Sequence, residues 1–460
     1  MDPAQLTGSP KWQDTPSSVI VGRDAHGGLL SLNDDRHLLT VAGSRAGKGL
    51  SMILPNLARY GGSVCVLDPK GENATLTAEC RGQGRGIAAT GLGQDVAVID
   101  PFRVADVAED LRAGFNPVAD LDPASPRFID DCYSIADALV IATAKDMNDH
   151  WNSTARLVLR GFVAWVATGD DRSRNLVELR RLLHQHPDDF SDLLDKMMEA
   201  PERAAGVPAE MAAALVGMGP DEQGSVLSTV RQNTLFLSSP PMAECLSGNV
   251  RAPDLKAWKF GGSSIYLCLP AGLMTLHARF FRLFVNRLLA AVESTPEKGS
   301  IPALLLLDEV HVLGHMAQLE TAAGLMAGYG LRIHTIWQDF SQAEAIYGVR
   351  WQTFLGNASL FQAFGLNDLK TLRYVSDRLG STLALTTSTN QISVGQATQG
   401  FDGKSTAMTT TPLLTADEVA YHFSRQSGAQ VIFYPGAAPI WMRRASWLDD
   451  DFKQYRRQDQ

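Results

Sequence analysis

The stretch LLTVAGSRAGKGL, residues 38–50, constrains this chain more than any other. An apolar run enters a loop of small residues, closes on Gly47-Lys48 and continues into helix-forming residues. Such a turn aims its backbone N–H groups and those of the helix start at one spot, where phosphate oxygens are favoured, and the Lys ammonium reaches the β/γ oxygens. The residues in reach are Gly43, Ser44, Arg45, Ala46, Gly47, Lys48, Gly49 and Leu50. Two departures from GxxxxGK[ST] stand out. Ala42 occupies the first Gly position with Gly43 behind it, and Gly49 stands where a hydroxyl residue ordinarily ligates Mg²⁺.

Short apolar runs bounded by Gly, Pro or Asp recur at Leu38–Ala42, Ser63–Leu67, Val96–Ile99, Ser264–Leu269, Ala303–Leu307, Arg332–Trp337 and Gln430–Tyr434. Several lack period-two alternation and lead into helical patterns, as strands buried on both faces of a parallel sheet do. The expected fold class is therefore α/β with a mostly parallel central sheet. Ser18–Gly22 and Leu29–Leu32 read as short edge strands in a leader. From about Pro123 to Pro253 helical periodicity dominates, and 18 Asp+Glu face 12 Lys+Arg. This suggests an acidic all-α domain, residues 123–253, inserted between a first part (1–122) and a second part (254–460) of the sheet domain. The Thr-, Ser- and Gln-rich stretch Leu383–Met408 suits a flexible hairpin or surface ribbon.

Composition narrows the classes. With 460 residues, 45% hydrophobic and 20% charged, the chain is an ordinary globular protein, neither disordered nor a rod. A formal charge of -9 disfavours a protein that coats nucleic acid with an all-over basic surface, while leaving room for a local basic channel. The five scattered cysteines have no CxxC pairing, which fits reduced, buried thiols rather than a disulfide framework or a zinc site. The longest apolar helical runs, Leu157–Val166 and Phe280–Val292, are broken by Arg160 and by Arg282, Asn286 and Arg287. No transmembrane span or signal peptide is legible, and the expected location is the cytoplasm.

Leu304-Leu305-Leu306-Leu307-Asp308-Glu309 is a buried strand ending in two acids, and carboxylates in such a place must be paired, protonated or metal-bound. Beside a phosphate loop, Asp308 would hold Mg²⁺ through water and Glu309 would polarise the attacking water. A third strand, Arg332–Trp337, ends in Gln338, whose amide both donates and accepts and suits a γ-phosphate sensor. His311 and His315 lack a partner that would complete a metal site and read as structural or as contacts to a neighbour. No nucleophile triad or GxSxG elbow is present.

These stretches, in this order, resemble the TraG-type coupling proteins of bacterial type IV secretion and conjugation, within the FtsK-HerA group of translocases. The resemblance rests on AGSRAGKGLSMILPNL (42–57), LDPKGE (67–72), DPF and FNP (100–102 and 115–117), HWNSTARLVLRG (150–161), LLLLDEVHVLG with GLMAGYGLRIHTIWQDFSQ (304–314 and 324–342), and two closing blocks at 357–380 and 412–419. It implies a RecA-like P-loop domain that uses ATP and Mg²⁺, with Gln338 as the motif glutamine and Gln342 one turn beyond. It further implies a homo-hexameric ring with ATP between neighbours and single-stranded DNA in a central channel, a lone chain being compatible with loss of the family's membrane anchor. The implied cargo is relaxase-bound DNA or effector proteins, delivered to channel components at the cytoplasmic face of the inner membrane. The family anchor is missing from the sequence, so the chain is either truncated or a soluble member.

Three arginines qualify to act in trans on the γ-phosphate: Arg332, Arg373 and Arg378. Lys70 and Glu72 face either the nucleotide or a subunit interface, or merely cap a turn, and Asp68 matches a family position. Arg443-Arg444 and Arg456-Arg457 are candidates for a channel lining but fit surface charge equally. Two function classes emerge: an ATP-driven DNA or protein translocase, and a docking receptor that presents cargo to other ATPases. A generic P-loop ATPase of repair or defence is a third, against which the LDPKGE, HWNSTA and GLNDLKT stretches weigh.

Overall fold

A computed structural model describes residues 3–84, 91–141, 150–389 and 404–456. Its centre is an eleven-stranded sheet. The strands are β1 (Val19–Arg23), β2 (Leu29–Leu32), β3 (His37–Ala42), β4 (Val64–Pro69), β5 (Asp95–Ile99), β6 (Ser263–Leu269), β7 (Ala303–Leu307), β8 (Leu331–Trp337), β9 (Ala358–Phe364), β12 (Ala429–Phe433) and β13 (Ile440–Arg443). They lie in the order β2-β1-β13-β12-β9-β3-β8-β7-β4-β6-β5. Seven of them, from β9 to β5, run parallel. Their side chains are buried on both faces: Leu305 and Leu307 of β7 enter one core, Leu304 and Leu306 the other. Continuous apolar runs are what such two-sided burial selects.

All seven expected runs form strands, and one of them, together with one of the two expected edge strands, is placed differently. The run at Gln430–Tyr434 is antiparallel, because β12 returns against β9 and begins a flank of β12, β13, β1 and β2. Ser18–Gly22 is not an edge, since β1 pairs with β13 on its inner side, through Arg23 and Arg443, and with β2 on its outer side, which leaves β2 at the rim. β9 is a strand the apolar pattern does not announce, because ASLFQAF mixes small and polar residues with aromatics, yet all seven side chains are buried. The ribbon at Leu383–Met408 is a two-stranded pair, β10 (Ser381–Thr389) with β11 (Lys404–Pro412), apart from the main sheet. Its connection, residues 390–403, lies outside the described residues.

Between β5 and β6 the described residues hold helices and no strand, including Phe128–Leu139, His150–Ala167, Pro187–Met198 and Pro220–Asn233. Their apolar side chains join the same core cluster as one sheet face, through the long helix Met274–Ser294. Among the described residues no helix is long and apolar enough to cross a membrane.

A buried row of polar side chains crosses the sheet where parallel strands give way to the antiparallel flank. His334 on β8 lies 2.8 Å from the Thr40 hydroxyl on β3, which donates to Gln362 Oε1 on β9. Gln362 donates to Gln430 on β12, and Gln430 donates to the carbonyl of Val21 on β1. Burial pushes the His334 imidazole down to about 3, so it stays neutral. A one-residue slip of any strand would turn its polar member into the other core, so the row fixes register. Gln362→Leu removes the acceptor of the Thr40 hydroxyl and the donor to Gln430 Oε1 at once, and is expected to lose about 1–3 kcal/mol in urea unfolding.

A candidate nucleotide site at the strand ends

Because β3, β8 and β7 are adjacent and parallel, the segments leaving their C-terminal ends meet at one end of the sheet. β3 delivers the loop 43–48. Within it Arg45 (φ 58°) and Gly47 (φ 90°) take left-handed conformations, turning the chain sharply into a helix that starts at Gly49. The helix opens with a wide π turn, Gly49–Ile53, before its α-helical part Leu54–Arg59. Pro55 has no N–H to give the carbonyl four residues back, which accounts for the widened turn. Asn56 then ties the buried helix to β1, exchanging hydrogen bonds with both backbone groups of Ile20.

The loop packs against the turn after β9. A Cβ on Gly43 would lie 2.4 Å from the Gly365 carbonyl, and one on Gly365, itself at φ 60°, would lie 2.3 Å from Ala46 Cβ. From the far end of the chain, Arg444 Nη1 donates to the Ala46 carbonyl at 2.7 Å while its guanidinium lies over the Phe364 ring, and Trp447 N donates to Leu50 O at 2.6 Å. The loop is thus braced at Ala46 and Leu50 by the segment after β13.

Inside the crevice Lys48 Nζ donates to Glu309 Oε1 at 2.6 Å and to the Asp308 carbonyl at 3.1 Å, and stands 3.0 Å from Asp308 Oδ1. That last contact is an ion pair outside hydrogen-bond geometry, so the buried Asp308 Oδ1 has no hydrogen bond. The second Glu309 oxygen is also held: Oε2 lies 3.1 Å from His311 Nδ1 and accepts from Gln338 Nε2 at 3.3 Å. Burial pushes the Asp308 carboxyl up in spite of Lys48. Burial would raise Glu309 too, but the His311 contact and the Lys48 charge prevail and hold it down at about 2. Gln342 accepts from Gln338 N at 3.4 Å and caps no other part of the site.

Lys48, Asp308, Glu309 and Gln338 are therefore brought together. Asp68, at the end of β4, accepts from the backbone N–H groups of Asn73 and Ala74. Lys70 beyond it is exposed at φ 109°, and its charge bears on Asp308. Glu72 is exposed at the helix start. Arg332 is not available to a neighbour: it is 1% exposed, at the opposite end of β8, and Nη1 donates to Ser17 O. Arg378 lies over the Phe433 ring, facing the same far end of the sheet, and Arg373 is exposed on its helix. Arg456 binds the carbonyls of Trp447 and Asp449, and Arg457 lies outside the described residues. His315 faces Glu320 and Tyr347 rather than the crevice.

Sequence reasoning missed the places of His311 and Arg444 in this site. The first carries a signal, a side chain two residues past the second acid; the second is recognisable only once the flank has folded back. The crevice suits a nucleotide phosphate with a divalent cation. The loop N–H groups and Lys48 suit the phosphates, and the unbonded, buried Asp308 Oδ1 suits a hydrated Mg²⁺, with no hydroxyl at Gly49 to assist.

Comparison with known proteins gives a consistent picture. Residues 4–460 match the family described as Type IV secretory system Conjugative DNA transfer. The conjugal transfer protein TraG of Agrobacterium fabrum is 27% identical over 426 residues, covering 91% of this chain and 61% of TraG. The type IV secretion system-coupling protein VirD4 of Bartonella quintana is 24% identical over 445 residues, covering 93% and 65%. The chain thus spans under two-thirds of the length of these relatives. Among solved structures, the conjugative coupling protein TrwBdeltaN70 in complex with sulphate superposes with TM-score 0.68 at 16% identity over 97% of this chain and 94% of that one. TrwB in complex with ADP and Mg²⁺ gives TM-score 0.67 at 16% identity over 99% and 95%. These likenesses establish the α/β fold of that group.

Two outcomes test the site. Gly365→Ala, which drives a methyl into Ala46, should weaken binding of a fluorescent ATP analogue about tenfold or more. Gly436→Ala, also at positive φ (81°) but in open space, should leave binding unchanged. Burial raises the Asp68 carboxyl to about 7, against its two backbone hydrogen bonds. A carboxyl raised in the folded state contributes stability below its unfolded value near 4 and loses it as pH climbs to 7. Urea unfolding should therefore show wild type losing ground to Asp68→Asn between pH 4 and pH 7; a constant difference would mean Asp68 is already ionised in the fold.

Proposed function

The chain belongs to the Type IV secretory system Conjugative DNA transfer family, and on that premise we propose that it is the ATP-hydrolysing part of a coupling protein. It recruits DNA-protein or protein cargo and drives it toward the secretion channel. The observation that carries this reading is the meeting of Lys48, Asp308, Glu309 and Gln338 at one end of three adjacent parallel strands. TrwB, of the same fold, is known in complex with ADP and Mg²⁺ and with a non-hydrolysable ATP analogue.

Without nucleotide, the Lys48 ammonium is shared by two carboxylates. ATP phosphates compete for it, and its transfer to the β/γ oxygens frees Glu309 Oε1. Glu309, held ionised, then accepts a proton from the attacking water as the new P–O bond forms and the bond to the ADP oxygen breaks, the electron pair leaving with ADP. Gln338, bonded to Glu309, senses whether the γ-phosphate is present. Asp308 would hold Mg²⁺, which when bound would neutralise charge on the phosphates. The loop braces at Ala46 and Leu50 keep the N–H groups aimed at a fixed point, the preorganisation such a site needs.

In this proposal six copies form a ring around single-stranded DNA, at the cytoplasmic face of the inner membrane. The acidic helical segment 123–253 is the inserted domain that meets relaxase or effector cargo, and a neighbour supplies an arginine, for which Arg373 and Arg378 remain exposed candidates. The test is ATP hydrolysis with and without single-stranded DNA across protein concentration. Turnover should rise with DNA and steeply with concentration. Lys48→Ala should abolish binding and turnover, and Glu309→Gln should bind ATP normally while losing at least about 100-fold in kcat. DNA-independent turnover untouched by Glu309→Gln would refute the motor.

A further inference from the structure

We propose that His311 is a positioning residue for Glu309, fixing one carboxylate oxygen so that the other is presented to the attacking water; this rests on the ATPase reading above. The two Glu309 oxygens have separate partners. Oε1 is bound only by Lys48, which ATP draws away; Oε2 accepts from Gln338 Nε2, for which the γ-phosphate competes, and lies 3.1 Å from His311 Nδ1, which has no phosphate to follow. A carboxylate held by Lys48 alone would swing with it or rotate once the ammonium leaves. The His311 contact, at 3.1 Å, pins it. A carboxylate oxygen accepts, so this 3.1 Å contact takes its proton from Nδ1.

The backbone bearing His311 is itself anchored. Arg282, 2% exposed, donates from Nη1 to the carbonyls of Leu313 and His315, each at 2.7 Å, and from Nε to Ala138 O at 3.0 Å. Tyr347 hydroxyl reaches Gly314 O at 3.4 Å from the other side. The turn Val310–Leu313 is thereby fastened to the helices Phe128–Leu139 and Met274–Ser294, and the imidazole is aimed from a fixed base.

Imidazole geometry supplies the test. Asn places an N–H close to where His carries Nδ1, whereas Gln places one near Nε2. ATP hydrolysis by the full chain with single-stranded DNA should show His311→Asn within about threefold of wild-type kcat, and His311→Gln and His311→Ala reduced about tenfold or more. KM and the affinity for a fluorescent ATP analogue should stay within about twofold in all three. In a Glu309→Gln background, followed by single-turnover hydrolysis of radiolabelled ATP, His311→Ala should add no further loss, because it acts through the carboxylate. Equal losses in His311→Asn and His311→Gln, an undiminished His311→Ala, or additive losses in the double variant would each overturn the assignment while leaving the ATPase reading intact. Absence of wild-type turnover would overturn both.

Discussion

The rest of the site depends on a lysine that has two carboxylates for company. An ammonium and two acids, each largely withdrawn from water, would be costly singly; together Lys48, Asp308 and Glu309 share one positive and two negative charges, and the exposed Lys70 adds its charge from outside the crevice. The triad is close to compensated but not saturated, since Asp308 Oδ1 keeps an unused acceptor. A group bringing phosphate and a divalent cation completes both halves, taking the ammonium for the anion and the free carboxylate oxygen for the cation. The arrangement is nearly compensated when empty and better satisfied when filled.

Holding that triad in register is work done by buried polar groups rather than by the apolar core, which tolerates sliding. Three guanidiniums are nearly fully buried, and each donates to carbonyls instead of acids, Arg332 through Nη1 alone with its Nε left without a partner. Arg81 reaches Leu57, Tyr60 and Gly62, Arg282 reaches Asp137, Ala138, Leu313 and His315, and Arg332 reaches Ser17. Carbonyls at helix ends and turns are fixed in direction, so a five-donor fork among them locks several segments at once. Arg282 has a second consequence: it joins the turn behind Glu309 to the end of the first helix after β5, so the helical segment and the acid-bearing turn share a bolt. The row from His334 to Gln430 does the same between the parallel and antiparallel parts of the sheet.

Much of this is legible in the sequence, for reasons that are local. A phosphate loop is written in consecutive residues, and Leu304–Glu309 declares a two-sided strand with acids at its end, so Lys48, Asp308, Glu309 and Gln338 are found together. The hidden part is non-local. β9 carries Gln362 in its middle because a partner amide waits on β12, and no periodicity announces a polar side chain satisfied 68 residues away. Arg332 looks eligible for a neighbour because it stands on the strand that leads to Gln338, but its guanidinium is buried and turned to Ser17 O. His311 looks like an incomplete metal site because the partner it needs is the acid two residues earlier.

Arg444 shows the same lesson from the other side. Its guanidinium has no carboxylate partner among the described residues; its two outer nitrogens go to the carbonyls of Ala46 and Arg425 and its plane lies over Phe364. As one of a pair of basic residues near the C-terminus it is indistinguishable from solvated charge, and only the antiparallel return of β12 and β13 lays it against the phosphate loop. Loop and brace are separated by 398 residues of chain, so the loop can be stiff only when the whole sheet has closed. A nucleotide site assembled in that order is unavailable to partly folded chains, and its rigidity reports on the integrity of the antiparallel flank at one side of the sheet.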